Sequence, residues 1–330
     1  MEYRQLGKSE LEVSVIAFGA WAIGGWMWGG TDRNDALKAL HAAISNGMTT
    51  IDTAPAYGFG LSEELVGEAI KGKRDRVQIL TKYGLRWDVQ KGQFFFPTRD
   101  NAGKPVDMYR YAGKESVIEE CENSLKRLKT DYIDLYQIHW PDPTTPISET
   151  MEAVEKLIQQ GKIRAAGVCN YDVEQLKEAT RALPVASNQV PYSMVRRDIE
   201  KDLVPYCLAS HTAIIAYSPL QRGLLTGKIK PGYVFGEGDT RPATPHYREP
   251  NLSRILNFLE ELKPLAENRK ITLAQLVLNW TLQQPGITCV LAGARNEKQV
   301  TENLGAAKFM LTADEIKTIQ QKLDQLVLEE

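Results

Sequence analysis

Short apolar runs, each followed by an amphipathic stretch of helical period, recur along the whole chain. Runs rich in Val, Ile, Leu and aromatic residues predict buried strands at 13–18, 49–53, 77–81, 132–138, 163–168, 186–190, 213–217 and 288–292. Apolar positions three and four apart predict helices at 34–46, 62–71, 114–128, 147–160, 173–183, 200–210, 253–269 with 273–284, and 297–307. Eight strand-then-helix units predict an α/β fold closed into a (β/α)8 TIM barrel. The rival, an open doubly wound sheet holding a dinucleotide, needs GxGxxG between a strand and a helix, and no such string is present.

Four segments lie outside the repeats. Residues 1–12 read as a small hairpin turning at Gly7-Lys8-Ser9, placed to plug one barrel end. Gly7-Lys8-Ser9 is not a P-loop, because Glu2 stands where the first glycine belongs and no strand precedes it. A last helix is predicted at 313–326. Long loops at 86–113 and 218–252 follow the third and seventh strands, so both rise from the C-terminal face where barrels build their sites. A typical barrel takes about 250 residues. These additions account for the rest of 330, and one domain, 1–330, is expected.

Charge and composition narrow the partners. Forty basic and 42 acidic residues give a net charge of −2, so no overall field draws nucleic acid or an anionic membrane. Residues 13–31 carry no charge, but five glycines interrupt them, and Glu2, Glu10 and Glu12 precede them instead of a basic leader. They read as a strand followed by a Gly-rich aromatic loop, and a soluble, cytoplasmic protein is expected. Four scattered cysteines fit a reducing compartment, and no His or Cys grouping has metal-ligand spacing, so no metal is expected. Composition leaves the oligomeric state open.

Polar residues gather at the predicted strand ends: Asp52 with Tyr57, Lys82, His139, Asn170, Gln189 and Tyr217. In a barrel they converge on one mouth. A Lys ammonium about 4 Å from a phenol, at an effective dielectric of about 20, favours the phenolate by on the order of 4 kcal/mol, which would bring Tyr57 towards the working range. A barrel glycosidase would need paired carboxylates there, and among these residues only Asp52 presents one.

The segments IDTAPAYGFGLSEELVG (51–67), LTKYG (80–84), LYQIHWPD (135–142), GVCNY (167–171), AYSPLQRGLLTGK (216–228) and GARNEKQVTEN (293–303) resemble the ordered motifs of the aldo-keto reductases. The resemblance spans almost the whole chain. It is nearest the bacterial family 11 reductases and more distant from the β-subunits of voltage-gated potassium channels. It implies an NADPH-dependent reduction of small aldehydes or ketones, with Tyr57 as general acid and Asp52, Lys82 and His139 completing a catalytic tetrad. It further implies that Tyr217 stacks on the nicotinamide, that Asn170 and Gln189, beside Cys169, hold its carboxamide, and that Trp21 lies against the cofactor. Ser218, Pro219, Leu220, Gln221, Gly223 and Lys228 would line the pyrophosphate, with Arg241 joining from the same loop. Gly293, Arg295, Gln299, Glu302 and Asn303 would take the adenosine end.

Two departures stand out. Cys169 replaces the usual Ser, losing a hydroxyl donor, and Gln299 stands where Arg is common, which leaves Arg295 as the cation for a 2′-phosphate. NADPH is the expectation and NADH the lesser one. Trp21, Trp26, Trp28, Trp87, Trp140 and the run Phe94-Phe95-Phe96 place many aromatics near the mouth and predict an apolar substrate pocket. The channel β-subunits imply an alternative, a cofactor-sensing partner protein with slow turnover.

Overall fold

The computed structural model describes residues 1–230, 232–236 and 239–329. The N-terminal hairpin pairs β1 (Tyr3–Gln5) with β2 (Glu12–Ser14). Eight parallel strands follow the predicted order, interrupted by a small sheet. They are β3 (Ile16–Gly19), β4 (Thr50–Asp52), β5 (Gln78–Tyr83), β9 (Ile133–Ile138), β10 (Ile163–Cys169), β11 (Val185–Pro191), β12 (Ala213–Tyr217) and β13 (Ile287–Gly293). β13 pairs back onto β3, with Gly293 beside Gly19, and this closes the barrel. The small sheet consists of β6 (Leu85–Arg86), β7 (Gln93–Arg99) and β8 (Pro105–Arg110).

The helices are α1 (Arg33–Ser45), α2 (Leu61–Ala69), α3 (Lys114–Leu128), α4 (Ile147–Gln159), α5 (Val173–Ala182), α6 (Leu203–Ser210), α7 (Asn251–Asn268), α8 (Leu273–Leu282), α9 (Glu297–Gly305) and α10 (Ala313–Gln325). Several begin where a side chain satisfies free N–H groups. Asp172 with Gln175, Thr272 with Gln275 and Thr312 with Glu315 form capping boxes at α5, α8 and α10. Among the described residues no helix is long and apolar enough to cross a membrane.

Two apolar layers hold the barrel. The larger packs the helices onto the outside of the strands. The inner one joins Ala17, Leu80, Leu135, Ile215 and Leu291 from the strands to Leu6, Leu11 and Val13 of the hairpin. The hairpin therefore stops the barrel, and the first predicted strand divides, with Val13 and Ser14 in the plug and Ile16–Gly19 in the barrel. Gly7 makes the fit possible. A Cβ there would stand 2.2 Å from the Ala186 carbonyl oxygen, and its φ of +59° favours glycine.

Other differences have local causes. β5 runs two residues beyond its predicted end, to Tyr83, because β9 pairs with it as far as Ile138. The expected loop 86–113 is mostly sheet: β7 and β8 form a hairpin whose turn is tied by Asp100, which accepts from the N–H groups of Ala102 and Lys104. The predicted helix at 200–210 starts at Leu203, since 198–200 form a separate 3-10 turn beside the Arg197–Glu200 ion pair.

Glu120 on α3 is buried beneath the turn after β5. It accepts from the Gly84 N–H at 3.0 Å and from Ser116 at 3.1 Å, with Arg86 at 3.6 Å. Burial pushes its carboxyl up to about 7, with Arg86 opposing. The folded chain then keeps a proton that the unfolded chain has released, so this stabilisation is full below pH 4.5 and is lost as pH rises to about 7. Relative to Glu120→Gln, the native protein should lose on the order of 3 kcal/mol across that range. Urea unfolding at a series of pH values checks this, and parallel curves for the two proteins would refute it.

Candidate active site

Closing the barrel brings the C-terminal strand ends into one ring. β4 ends at Asp52, β5 carries Lys82 one residue before its end, and His139 follows β9. β10 leads into Asn170, β11 presents Gln189 and β12 ends at Tyr217. Six of the seven expected mouth residues thus lie on or just beyond barrel strands. The seventh, Tyr57, sits on the loop between β4 and α2.

Lys82 is fully buried, where an unpaired ammonium would be prohibitively costly. Its three N–H donors are all used: Nζ lies 2.6 Å from Asp52 Oδ1, 2.9 Å from the Thr53 carbonyl and 3.2 Å from the Tyr57 hydroxyl. Burial works against its charge, but Asp52 and Tyr57 outweigh it and hold Lys82 above its ordinary value. Because the Tyr57 oxygen accepts from Lys82, its own O–H is free to donate elsewhere. Burial raises the phenol above the ordinary tyrosine value, and Lys82 only partly counters it. The field of Lys82 alone pointed the other way; desolvation is the larger effect, and the phenol stays neutral.

His139 meets the Tyr57 ring edge-on at 5.6 Å. Burial and then Lys82 lower it well below the usual imidazole value, so it is neutral as well. Asn170, in the left-handed region at φ +61°, donates to the His139 carbonyl at 3.0 Å and accepts from the Tyr217 hydroxyl at 3.0 Å. Burial also raises the Cys169 thiol. Gln189 Nε2 donates to Asp52 Oδ2 at 2.7 Å, which leaves its amide oxygen to the cleft.

A cleft of about 570 Å³ runs from these residues to the start of α9. Most of the expected residues line it: Trp21, Cys169 and Asn170 near Tyr57 and His139; Ser218, Pro219, Leu220, Gly223, Lys228 and Arg241 along one side; Gly293, Arg295, Gln299, Glu302 and Asn303 at the far end. Trp26, Trp28 and Trp140 line its apolar wall. Two expectations fail. Gln221 turns away, its amide held by His246 at 3.1 Å and by Ser193 at 3.4 Å. Trp87 does not reach the cleft and packs edge-on against Phe59 at 5.3 Å.

Arg222, Met27 and Leu85 line the cleft without having been singled out for it from sequence, and of the aromatic run expected near the mouth Phe95 and Phe96 reach it. The hairpin β7–β8 delivers the two phenylalanines, and its turn residues Asp100 to Gly103 between apolar runs were the available signal. Arg222 lies 5.2 Å from the rings of both Trp21 and Trp28 and donates to the Met27 carbonyl, so it joins the loops after β3 and β12. Its Nε and the indole N–H groups of Trp21 and Trp28 are buried with no partner among the described residues. Among the described residues no three His, Cys, Asp or Glu side chains are grouped to hold a metal.

A barrel whose C-terminal mouth assembles Asp, Tyr, Lys and His beside a long cleft defines a class. The chain belongs to the Aldo/keto reductase family, whose pattern matches residues 15–324, and it is an NAD(P)H-dependent oxidoreductase. It is 40% identical to aldo-keto reductase YhdN of Bacillus subtilis (strain 168), over 99% of this chain and 95% of that one. It is 35% identical to the NADH-specific methylglyoxal reductase of Escherichia coli (strain K12), over 97% and 98%. The solved glycerol dehydrogenase AKR11B4 from Gluconobacter oxydans superposes with a TM-score of 0.88 at 38% identity, over 99% and 96%.

Two loops meet backbone to backbone behind Tyr57. A Cβ on Gly24 would stand 2.6 Å from the Tyr57 carbonyl oxygen, and one on Gly58 would stand 2.1 Å from the Gly24 carbonyl oxygen. Gly24→Ala should cost about 1–3 kcal/mol of stability and, by displacing Tyr57, lower kcat roughly tenfold or more. Denaturant unfolding and steady-state rates test it, and native values for both would show that the contact yields.

Proposed function

We propose that the protein reduces small aldehydes and ketones with NADPH, Tyr57 delivering the proton to the carbonyl oxygen. The observation that carries this is the Tyr57 hydroxyl: it accepts from the buried Lys82 ammonium at 3.2 Å and keeps its own proton for a ligand in the cleft. The nicotinamide dinucleotide supplies, when bound, the hydride that the carbonyl carbon takes up.

Each residue has a physical task. Lys82 stabilises the phenolate that remains once the proton has left, and Asp52 holds Lys82 charged and aimed. His139, neutral, donates one N–H to the carbonyl oxygen as charge develops there. Tyr217 offers its ring face to the nicotinamide, with its hydroxyl pinned by Asn170. The amide oxygen of Gln189 faces the cleft as an acceptor for the carboxamide. Trp21, Trp26, Trp28 and Trp140 exclude water around the reacting carbonyl.

The residues suit a dinucleotide. The three orphaned N–H donors of Trp21, Trp28 and Arg222 lack acceptor oxygens, which a pyrophosphate supplies in number. Lys228 is engaged by Glu302 at 2.7 Å, whereas Arg295 is exposed at the cleft edge, and a guanidinium free among the described residues supports the reading of a 2′-phosphate partner. The whole chain acts as one unit around the barrel, and four buried free thiols suit a reducing cytoplasm.

Tyr57→Phe should bind NADPH as the native protein does while kcat/KM for aldehydes falls by about 10²–10⁴. Fluorescence titration and NADPH oxidation with a panel of aldehydes and ketones measure the two. Tight NADPH binding without oxidation by any carbonyl, in the native protein, would favour the cofactor-sensing role. Arg295→Ala should narrow the preference for NADPH over NADH by about tenfold, or about 1.4 kcal/mol. A native protein that binds NADH more tightly would refute the cofactor assignment.

A further inference from the structure

Resting on that reading, we infer that Gln137 is a positioning residue for the reaction: with Gln189 it forms a buried amide pair that holds the second oxygen of Asp52. Gln137 lies on β9, directly beside Lys82 in the strand register, and is completely buried. Asp52 presents Oδ1 to Lys82 and Oδ2 to the two amides. Gln189 Nε2 donates to Oδ2 at 2.7 Å and Gln137 Nε2 donates to the same oxygen at 3.4 Å. The remaining N–H of Gln189 reaches Gln137 Oε1 at 3.4 Å, so the three side chains close a triangle. A carboxylate only accepts, which fixes both amide nitrogens towards Asp52.

The barrel makes room for this contact at one place. Gln137 is on β9 and Gln189 on β11, and β10 lies between them. The residue of β10 paired with Gln137 is Gly167, where a Cβ would stand 2.9 Å from Gln137 Cγ and 3.0 Å from Ser187 Oγ. The missing side chain at Gly167 is the space through which the Gln137 amide crosses to Gln189. Gln137 itself does not line the cleft. It acts on the reaction only through Asp52 and Gln189.

The consequence is electrostatic. The other titratable groups facing this cluster are Lys82 on β5, His139 beyond β9, Cys169 on β10, Tyr217 on β12 and Cys289 on β13. Burial keeps Cys169 and Cys289 as thiols, Cys289 pushed up to about 12, and keeps Tyr217 protonated and His139 neutral. Tyr57 therefore feels two charges, Lys82 and Asp52. Two amide donors spread the charge of Asp52 away from Lys82. Without them the carboxylate pulls the ammonium from Tyr57 and opposes phenolate formation more strongly.

The test compares the native protein with Gln137→Leu and Gln137→Met, which match the side chain in size and remove both donor and acceptor. In each, kcat/KM for aldehyde reduction should fall about tenfold while the Kd for NADPH stays within about twofold. The Tyr57 phenol, followed in the NADP⁺ complex as the ultraviolet difference from proteins that also carry Tyr57→Phe, should titrate about 0.5–1 unit higher. An unchanged titration over the accessible pH range, or unchanged kcat/KM, overturns the inference. So does loss of folding in both variants, which would make Gln137 a residue of barrel assembly. A native protein that reduces no carbonyl sinks the functional reading instead, whereas an active native protein with indifferent variants sinks only this one.

Discussion

A fully charged lysine inside a barrel is tolerable only if each of its donors finds an acceptor, and Lys82 finds Asp52, Thr53 and Tyr57. Those partners come from β4 and the loop that follows it, while Lys82 comes from β5. Their meeting depends on the parallel pairing of two neighbouring strands, in which Asp52 lies beside Leu80 and Lys82 projects just beyond. The same ion pair explains the geometry around it. Asp52 needs donors on its other oxygen and draws Gln189 inward; Tyr57 must accept from Lys82 and is thereby left with a proton to give.

The rest of the fold serves to hold this cluster dry and still. The hairpin closes the far end of the barrel with the buried side chains of Leu6, Leu11 and Val13. Above, aromatic loops cover it: Trp21 stacks near Tyr57 at 6.1 Å, Trp26 donates to Thr98 of β7 at 3.0 Å, and Phe95 packs against Trp140 at 5.3 Å. Low local dielectric makes each polar contact in the mouth count for more. It also keeps the phenol of Tyr57 and the imidazole of His139 neutral, the forms in which both can donate to a carbonyl oxygen.

The order of elements was legible because strands buried on both faces and helices with one apolar face leave different periods in the chain. The helix at Lys114–Leu128 and the strand at Ala213–Tyr217 lie where the pattern places them. Boundaries that depend on a partner were not legible. Val13 has the same apolar character whether it belongs to a plug or to a barrel strand, and only contact with β1 decides. The sheet in 85–110 was missed because its alternation is irregular: Phe94, Phe95 and Phe96 are consecutive, and the register shifts between Phe94 and Phe96. Gln221 and Trp87 were placed by motif and by residue type, but neighbours such as His246 and Phe59, distant in sequence, turn them from the cleft.

What the amino-acid sequence determined by itself is the alternating α/β order, the family to which its motifs belong, and the residue types collected at strand ends. These follow from periodicity and from local spacing, which any stretch of chain carries within itself. Tertiary structure alone decided which atoms meet. It set Lys82 between three acceptors, made desolvation outweigh the field of Lys82 at Tyr57, brought Arg222 between Trp21 and Trp28, and let Gln137 reach across Gly167 to Asp52. Each of these depends on separations of a few ångströms between residues tens of positions apart, which closure of the barrel creates.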